Sequence, residues 1–168
     1  RMLAAFGIPV TRRPPAAADG IGPSYSVAGP AIPSATHVRV PGDFSAAAFF
    51  LAAAAASPGA SVTARDVNLT PTRTGLLAVL ERRGAGVERA RVRDEGGEPV
   101  GDVTVTGPDR LRACAIEPEE VPALIDEIPA WAVAAALAQG TSRVRGAGEL
   151  RVKESDRLAG LAANLGRL

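Results

Sequence analysis

Two alanine-rich segments, in which almost every residue is apolar, most constrain what this chain can fold into. The first runs from Phe44 to Ala56 and the second from Ile128 to Gln139. A helix that is apolar around its whole circumference must be buried on all sides. The sequence therefore predicts two internal helices. The strands between them carry charges at alternate positions, as at Arg143 and Arg145, so one face of each sheet should meet water.

The two segments are parts of a repeat with an offset of 81 residues. Gly59 and Gly140 each follow an alanine-rich helix, and each precedes a strand, a short loop and a second helix. Leu69 and Leu150 occupy matching positions ten residues after these glycines. A coincidental match within an α/β protein is the alternative explanation. Helices inside and sheets outside, repeated along the chain, indicate an α/β fold of the inside-out barrel type.

The other predicted elements follow from the positions of glycine, proline and charged residues. We predict further helices over 1–7 (the end of one), 73–83 and 153–165. We predict strands over 8–11, 25–28, 37–40, 61–67, 87–93, 103–106, 113–116 and 142–145, and an exposed turn over 14–23. A domain boundary is expected near Val40, which separates residues 1–39 from residues 40–168.

Composition excludes several classes of protein. Hydrophobic residues make up 46% and charged residues 22%, which is typical of a folded globular chain. A net charge of +1 gives no overall field for nucleic acid or an anionic membrane. The longest apolar run, 46–56, is shorter than the roughly 20 residues of a membrane span. A single cysteine, Cys114, excludes an internal disulfide framework, and no Cys or His cluster has metal-ligand spacing. We expect a cytoplasmic protein without a membrane span.

The predicted last helix, 153–165, carries an unusual set of charges. At about 100° per residue, Lys153 and Arg157 share one face, and Glu154 lies on the line of the stripe formed by the leucines 158, 161 and 165. A solvated helix start explains Glu154 and Asp156, but it does not explain two cations four residues apart near the positive end of a helix. The alternative is an anion site, because two cations and free backbone N–H groups suit phosphate or carboxylate.

Asp126 opens the second alanine-rich helix, so it is either an N-cap or first-turn carboxylate or a functional group close to Lys153 and Glu154. Asp43 has a similar place before the first alanine-rich helix and is expected to be a cap. We predict structural roles for His37, Cys114 and Trp131. The pair Arg82–Arg83 is expected to be solvated, and no glycine-rich phosphate loop is present.

The segment RVKESDRL, residues 151–158, resembles the signature of the 5-enolpyruvylshikimate-3-phosphate synthase family. PGDFSAAAFFLAAAA, residues 41–55, and LIDEIPAWAVAAALAQG, residues 124–140, are similar to two further family segments, in the family's order and spacing. The resemblance implies domains built of three βαβαββ units around buried helices. Residues 1–39 would end one domain, and residues 40–168 would form about two units of the other.

The resemblance also implies a reaction. The enolpyruvyl group of phosphoenolpyruvate moves to the 5-hydroxyl of shikimate 3-phosphate, and phosphate is released. By the same resemblance Asp126 would bind shikimate 3-phosphate and deprotonate its hydroxyl, and Glu154 would serve the proton transfers. Lys153 would contact shikimate 3-phosphate, and Arg157 would hold phosphoenolpyruvate. No metal or organic cofactor is implied, and the full-length enzyme is expected to be a monomer.

Some related sequences have asparagine where this chain has Glu149, so no substrate contact is assigned to Glu149. Substrate-binding motifs that the family carries before and after this region have no match here. We therefore expect a fragment that is inactive alone. Two alternatives stay open: an enolpyruvyl transferase that acts on UDP-N-acetylglucosamine, and a non-catalytic α/β repeat module.

Overall fold

The computed structural model of the chain describes residues 2–14 and 23–167. Contacts between residues divide it into two units, one of Arg1–Val40 with Asp94–Glu98 and one of Pro41–Arg93 with Pro99–Leu168. The predicted turn over 14–23 lies mostly outside the described residues. No helix in the described part of the chain is both long and apolar enough to cross a membrane.

The smaller unit contains one short helix and one β-hairpin. Helix α1 spans Met2–Ala5, and strands β1, Val10–Arg13, and β2, Ser24–Val27, pair antiparallel. The strand predicted over 37–40 is wrong, because these residues have no regular secondary structure. His37 lies in that irregular segment and is exposed.

The larger unit begins with helix α2, whose predicted bounds, Phe44–Ala56, are confirmed. Asp43 caps its N-terminus as predicted: the side chain accepts a 2.9 Å hydrogen bond from the backbone N–H of Ser45. The chain then turns through Gly59, whose positive φ of 71° suits glycine. The cap at one end and this turn at the other explain why the sequence alone defines the helix so sharply.

A three-stranded sheet in the order β3-β5-β4 follows α2. The strands are β3, Ser61–Asn68, β4, Gly86–Glu95, and β5, Glu98–Thr106. Helix α3, Gly75–Arg82, connects β3 to β4 and buries Leu76, Leu77, Val79 and Leu80 completely. Successive residues of β3 from Ser61 to Asp66 alternate between exposed and half-buried, as predicted for a sheet with one face in water.

The second repeat has the same order of elements with less regular structure. Its helix α4 spans Ile128–Ala136, and Gly140 follows with a positive φ of 97°. The parallel strands β6, Ala115–Ile116, and β7, Arg143–Val144, are shorter than predicted. Helix α5 spans Arg157–Leu165. Three 3-10 turns complete the unit: Val121–Ala123, Ile125–Glu127 and Ala147–Arg151.

One hydrophobic core joins α2, α3 and α4 to the inner face of the sheet, and the predicted core position of Trp131 is confirmed at 4% exposure. Cys114 is half-buried against this core. Each fully buried leucine contributes about 1.5–3 kcal/mol relative to an exposed one. The expected mixture of helices and sheets is confirmed.

The prediction that α2 and α4 are buried on all sides is wrong for this chain. Phe50 is 67% exposed on α2, and Leu137, just after α4, is 68% exposed. Between these helices lies an apolar groove of about 200 Å3, lined by Phe49, Val133, Leu137 and several alanines. The two helices bury one side against each other and the sheet and leave an apolar side uncovered.

The prediction that Arg83 is solvated is also wrong. Its side chain is fully buried, donates to the carbonyl oxygens of Arg112 (2.9 Å) and Ala134 (3.2 Å), and lies 5.8 Å from the centre of the Trp131 ring. Burial lowers the pKa of Arg83. A long stem with a flat cation can pack in an apolar core when carbonyl oxygens and an aromatic face meet it.

The last helix begins later than predicted. Asp156 is its N-cap and accepts a 2.9 Å hydrogen bond from the backbone N–H of Ala159, so the helix starts at Arg157 and not at Lys153. The helical geometry predicted for Lys153 and Glu154 is therefore wrong, and the Glu154 side chain is 78% exposed rather than aligned with the leucines. Aspartate is a strong N-cap, and this preference overrides the longer helical pattern.

Candidate active site

The carboxylate of Asp126 is the centre of a charged cluster in the larger unit. Asp126 lies in the 3-10 turn Ile125–Glu127, immediately before α4. It makes no helix cap: the residue at the cap position is Glu127, whose side chain makes no cap hydrogen bond. The Asp126 side chain is 27% exposed, so its oxygens are open both to protein cations and to solvent.

Three cations surround this carboxylate, and they divide its two oxygens between them. Arg73 Nη2 lies 3.1 Å from Oδ2. On the other oxygen, Arg157 Nη1 lies 3.4 Å and Lys153 Nζ 3.8 Å from Oδ1. Lys153 and Arg157 are thus brought together by a shared carboxylate, although they do not lie on one helix.

Lys153 has a second acidic neighbour, Glu149. Its Nζ lies 3.0 Å from Glu149 Oε1, and this carboxylate raises the pKa of Lys153. Glu149 belongs to the 3-10 turn Ala147–Arg151 and is four residues before Lys153. The ammonium group therefore stays charged and lies between two carboxylates.

Glu154 joins the cluster through Arg157. Arg157 Nη2 lies 2.6 Å from Glu154 Oε2, and Arg157 Nη1 reaches Asp126. A hydrogen bond from its own backbone N–H, followed by the contact with Arg157, lowers the pKa of Glu154. The guanidinium group of Arg157 thus bridges the two carboxylates that the sequence analysis singled out.

Glu127 is a second acidic group beside Asp126, with the opposite environment. It is 2% exposed and accepts a 2.5 Å hydrogen bond from Ser45 Oγ at the start of α2. Burial raises the pKa of Glu127. Because Ser45 and Glu127 lie at the starts of the two alanine-rich helices, their hydrogen bond joins the two repeats.

Sequence reasoning missed Arg73, Glu149 and Glu127 as members of this region. A signal for Arg73 existed: it stands 81 residues before Glu154, so the two residues occupy matching positions in the repeat. No local pattern marked Glu127. Among residues 2–14 and 23–167, no group of three or more His, Cys, Asp or Glu side chains could hold a metal ion.

Cations that are paired with the protein's own carboxylates can exchange those partners for an anionic ligand. Three cations meet three carboxylates here: Arg73, Lys153 and Arg157 face Asp126, Glu149 and Glu154. Guanidinium groups suit phosphate and carboxylate because they can donate two parallel hydrogen bonds. A carboxylate freed by such an exchange can then accept a proton.

Comparisons with known proteins identify one family. The family model described as EPSP synthase (3-phosphoshikimate 1-carboxyvinyltransferase) matches residues 1–168. A protein of that name from Synechococcus sp. (strain JA-3-3Ab) is 46% identical over 168 residues, which are 100% of this chain and 36% of the relative. A relative of the same name from Akkermansia muciniphila is 46% identical over 166 residues, 98% of this chain and 36% of the relative.

A solved structure of EPSP synthase from Acinetobacter baumannii is similar in fold, with a TM-score of 0.82 and 40% sequence identity. The match covers 96% of this chain and 35% of that one. The chain thus spans about 36% of the length of the curated relatives that it matches. On the match over its whole length and these identities, the chain belongs to the EPSP synthase family.

Proposed function

We propose that the chain forms part of an enzyme that transfers the enolpyruvyl group of phosphoenolpyruvate to the 5-hydroxyl of shikimate 3-phosphate. The observation that carries the proposal is the Asp126 carboxylate within 4 Å of Arg73, Lys153 and Arg157, in a member of this family. Both substrates carry several negative charges, which suits a site rich in exchangeable cations. Relatives named 3-phosphoshikimate 1-carboxyvinyltransferase support the same reaction.

In the proposed mechanism Lys153 leaves Asp126 to contact shikimate 3-phosphate, and Arg157 leaves Asp126 and Glu154 to hold phosphoenolpyruvate. Asp126 Oδ1 is then free to accept the proton of the 5-hydroxyl while the hydroxyl oxygen bonds to the central carbon of phosphoenolpyruvate. The methylene carbon gains a proton in this addition and loses one when the C–O bond to phosphate breaks. The products are the enolpyruvyl ether and inorganic phosphate.

Glu154 is proposed to carry the proton to and from the methylene carbon. In the unliganded chain its contact with Arg157 favours the ionised form, since that contact is one of the causes that lower its pKa. Transfer of Arg157 to phosphoenolpyruvate removes this contact and makes the carboxylate more basic. The more basic Glu154 can hold the proton that it donates to the methylene carbon in the addition and takes back in the elimination, while the hydroxyl proton stays on Asp126.

We also propose that residues 1–39 end one domain and that residues 40–168 form about two βαβαββ units, an incomplete part, of an inside-out α/β barrel. The uncovered apolar side of α2 and α4, with Phe49, Phe50, Val133 and Leu137, supports this architecture, since a further unit would bury it. The division of contacts at Val40 supports the boundary. The proposal includes a cytoplasmic location and a monomeric complete enzyme, and gel filtration tests the latter.

The test is phosphate release by the complete enzyme that contains this chain. We expect turnover with phosphoenolpyruvate and shikimate 3-phosphate, and none when UDP-N-acetylglucosamine replaces the acceptor. Glu154→Gln should lower kcat by about 100-fold or more, the ordinary effect of losing a general acid or base. Glu120→Gln, which removes an ion pair with Arg82 away from the cluster, is the matched control and should leave kcat unchanged. Full activity of Glu154→Gln would remove its assigned role.

A further inference from the structure

We infer that Arg73 is a positioning residue that keeps the Asp126 carboxylate oriented after Lys153 and Arg157 have turned to the substrates. This inference rests on the proposed function. Arg73 belongs to the first repeat, whereas the other three residues belong to the second. Its ion pair with Asp126 is therefore a link between the repeats at the reacting carboxylate.

The two oxygens of the Asp126 carboxylate have different cationic partners, and this difference supports the inference. Arg73 contacts Oδ2, whereas both proposed substrate-binding cations contact Oδ1. When those two cations leave, Oδ1 becomes free for the hydroxyl proton, and Oδ2 keeps its partner. Without Arg73 the carboxylate would have no remaining cation among these three and could rotate away from the hydroxyl.

The chain holds Arg73 in place from both sides. Before it, the Asn68 side chain accepts a 2.8 Å hydrogen bond from the backbone N–H of Thr70, and the N–H of Arg73 in turn donates to the Thr70 carbonyl at 2.8 Å. After it, Gly75 lies against Ala123: a Cβ at Gly75 would come within 3.0 Å of the Ala123 carbonyl oxygen. This close approach joins the start of α3 to the segment that carries Asp126.

The position of Arg73 in the repeat is a further reason. Arg73 and Glu154 are 81 residues apart, and each precedes the second helix of its repeat, α3 or α5. Both copies of the repeat therefore place a charged side chain from the same position into the cluster. The Arg73 side chain is 55% exposed, and ion pairs of such exposure add little to stability. A purely structural role is thus a weak explanation for it.

The test compares Arg73→Gln and Arg73→Lys in the complete enzyme, with Arg89→Gln as the matched control. Arg89 makes a similarly exposed ion pair with Glu81 outside the cluster. We expect Arg73→Gln to lower kcat about tenfold or more, because misplacing a reacting group slows the chemical step, while KM for both substrates changes less than about threefold. Arg73→Lys should recover part of kcat, and Arg89→Gln should retain it.

Other outcomes overturn the inference. Unchanged kcat in Arg73→Gln would do so, and so would a large rise in KM at constant kcat, which would make Arg73 a binding residue. Loss of activity in Asp126→Asn with full activity in Arg73→Gln removes the Arg73 inference alone. Full activity in Asp126→Asn removes the assignment on which both proposals rest. A crystal structure of the Arg73→Gln enzyme provides a second measurement: we expect a rotated Asp126 carboxylate, and an unmoved one contradicts the role.

Discussion

The second helices of the two repeats, α3 and α5, begin soon after matching charged residues but have different surroundings. Four side chains of α3 are fully buried, whereas α5 has no buried residue. The strand before α3, β3, has 8 residues, and the strand before α5, β7, has 2. A 3-10 turn and an irregular segment take the place of regular structure before α5. Tight packing thus builds the scaffold in the first repeat, and irregular backbone in the second presents Lys153 and Glu154 to the cluster.

The largest difference in activity is expected between substitutions of the aspartates at the starts of the two alanine-rich helices, Asp126 and Asp43. Asp126→Asn removes the proposed base, so we expect kcat for phosphate release to fall by about 10²- to 10⁴-fold. Asp43→Asn preserves a good helix cap and should leave kcat within about twofold. The comparison uses steady-state assays of both variants in the complete enzyme. Equal activities would show that the two positions are equivalent caps.

The difference in packing between α3 and α5 should appear in stability. Leu80 on α3 is fully buried, and Leu161 on α5 is half-buried. We expect Leu80→Ala to lower the free energy of unfolding by about 2–5 kcal/mol because it leaves a cavity, and Leu161→Ala to lower it by about 1 kcal/mol or less. Urea unfolding followed by the fluorescence of Trp131 measures both. Similar losses would mean that α5 is as well packed as α3.

The carboxylates of Glu127 and Asp102 are both almost inaccessible to solvent, but their contributions to folding stability should depend on pH in opposite ways. Burial raises the pKa of Glu127, so the folded state binds its proton more tightly than the unfolded state, and its stabilising effect is lost as the pH rises above about 4.5. Glu127→Gln can still accept the hydrogen bond from Ser45 and cannot ionise. We expect Glu127→Gln to be the more stable protein at neutral pH, and the two proteins to converge at low pH.

For Asp102 the pKa is shifted in the opposite direction, so its contribution to stability has the opposite dependence on pH. The backbone N–H of Asp66, and then Arg91, stabilise its charged form and lower its pKa. The stabilising effect of Asp102 is therefore present above about pH 3.8 and lost as the pH falls through the folded-state pKa. Asp102→Asn should be less stable than the unmodified chain at neutral pH, with the difference vanishing in acid. Thermal unfolding between pH 3 and pH 8 compares the unmodified chain with each of the two variants. If the difference in stability from either variant did not change with pH, the environments assigned to Glu127 and Asp102 would be contradicted.

The smallest expected effects concern the helix caps. Asp43→Ala should lower the free energy of global unfolding by about 1 kcal/mol, because the helix that it caps lies in the core. Asp156→Ala removes a cap from a helix without buried residues, which can open without unfolding the rest. Its effect should appear as faster hydrogen exchange at the Ala159 amide, with little change in global stability. A global loss equal to that of Asp43→Ala would show that α5 unfolds with the core.

Sequence reasoning succeeded where local rules and burial agree. Asp43 and Gly59 flank α2 with a cap and a turn, so its bounds are confirmed, and the hydrophobicity of Trp131 suffices to place it in the core. It failed where contacts are distant along the chain. Arg83 is buried by carbonyl groups of residues 29 and 51 positions away, which no local pattern of charge reveals.

In the candidate site, too, local features could be predicted from the sequence and contacts between distant residues could not. A pair of cations with acidic neighbours was visible in the segment 151–158, but their helical arrangement was wrong because Asp156 competes successfully as the cap. The convergence of Lys153, Arg157 and Arg73 on Asp126 depends on tertiary structure, since Arg73 and Asp126 are 53 positions apart in the sequence. The repeat offset is the feature of the sequence that relates the two copies, and it does relate Arg73 to Glu154.

Gly75 has a consequence for how substitutions in this protein should be understood. Gly75 has no side chain of its own to join the charged cluster, yet a methyl group there would press on Ala123, three residues before Asp126. A scan of single substitutions would then record Gly75 as a position that affects turnover, although no substrate reaches it. Its requirement for glycine would report the spacing between the start of α3 and the 3-10 turn Val121–Ala123 rather than the conformation of its own helix.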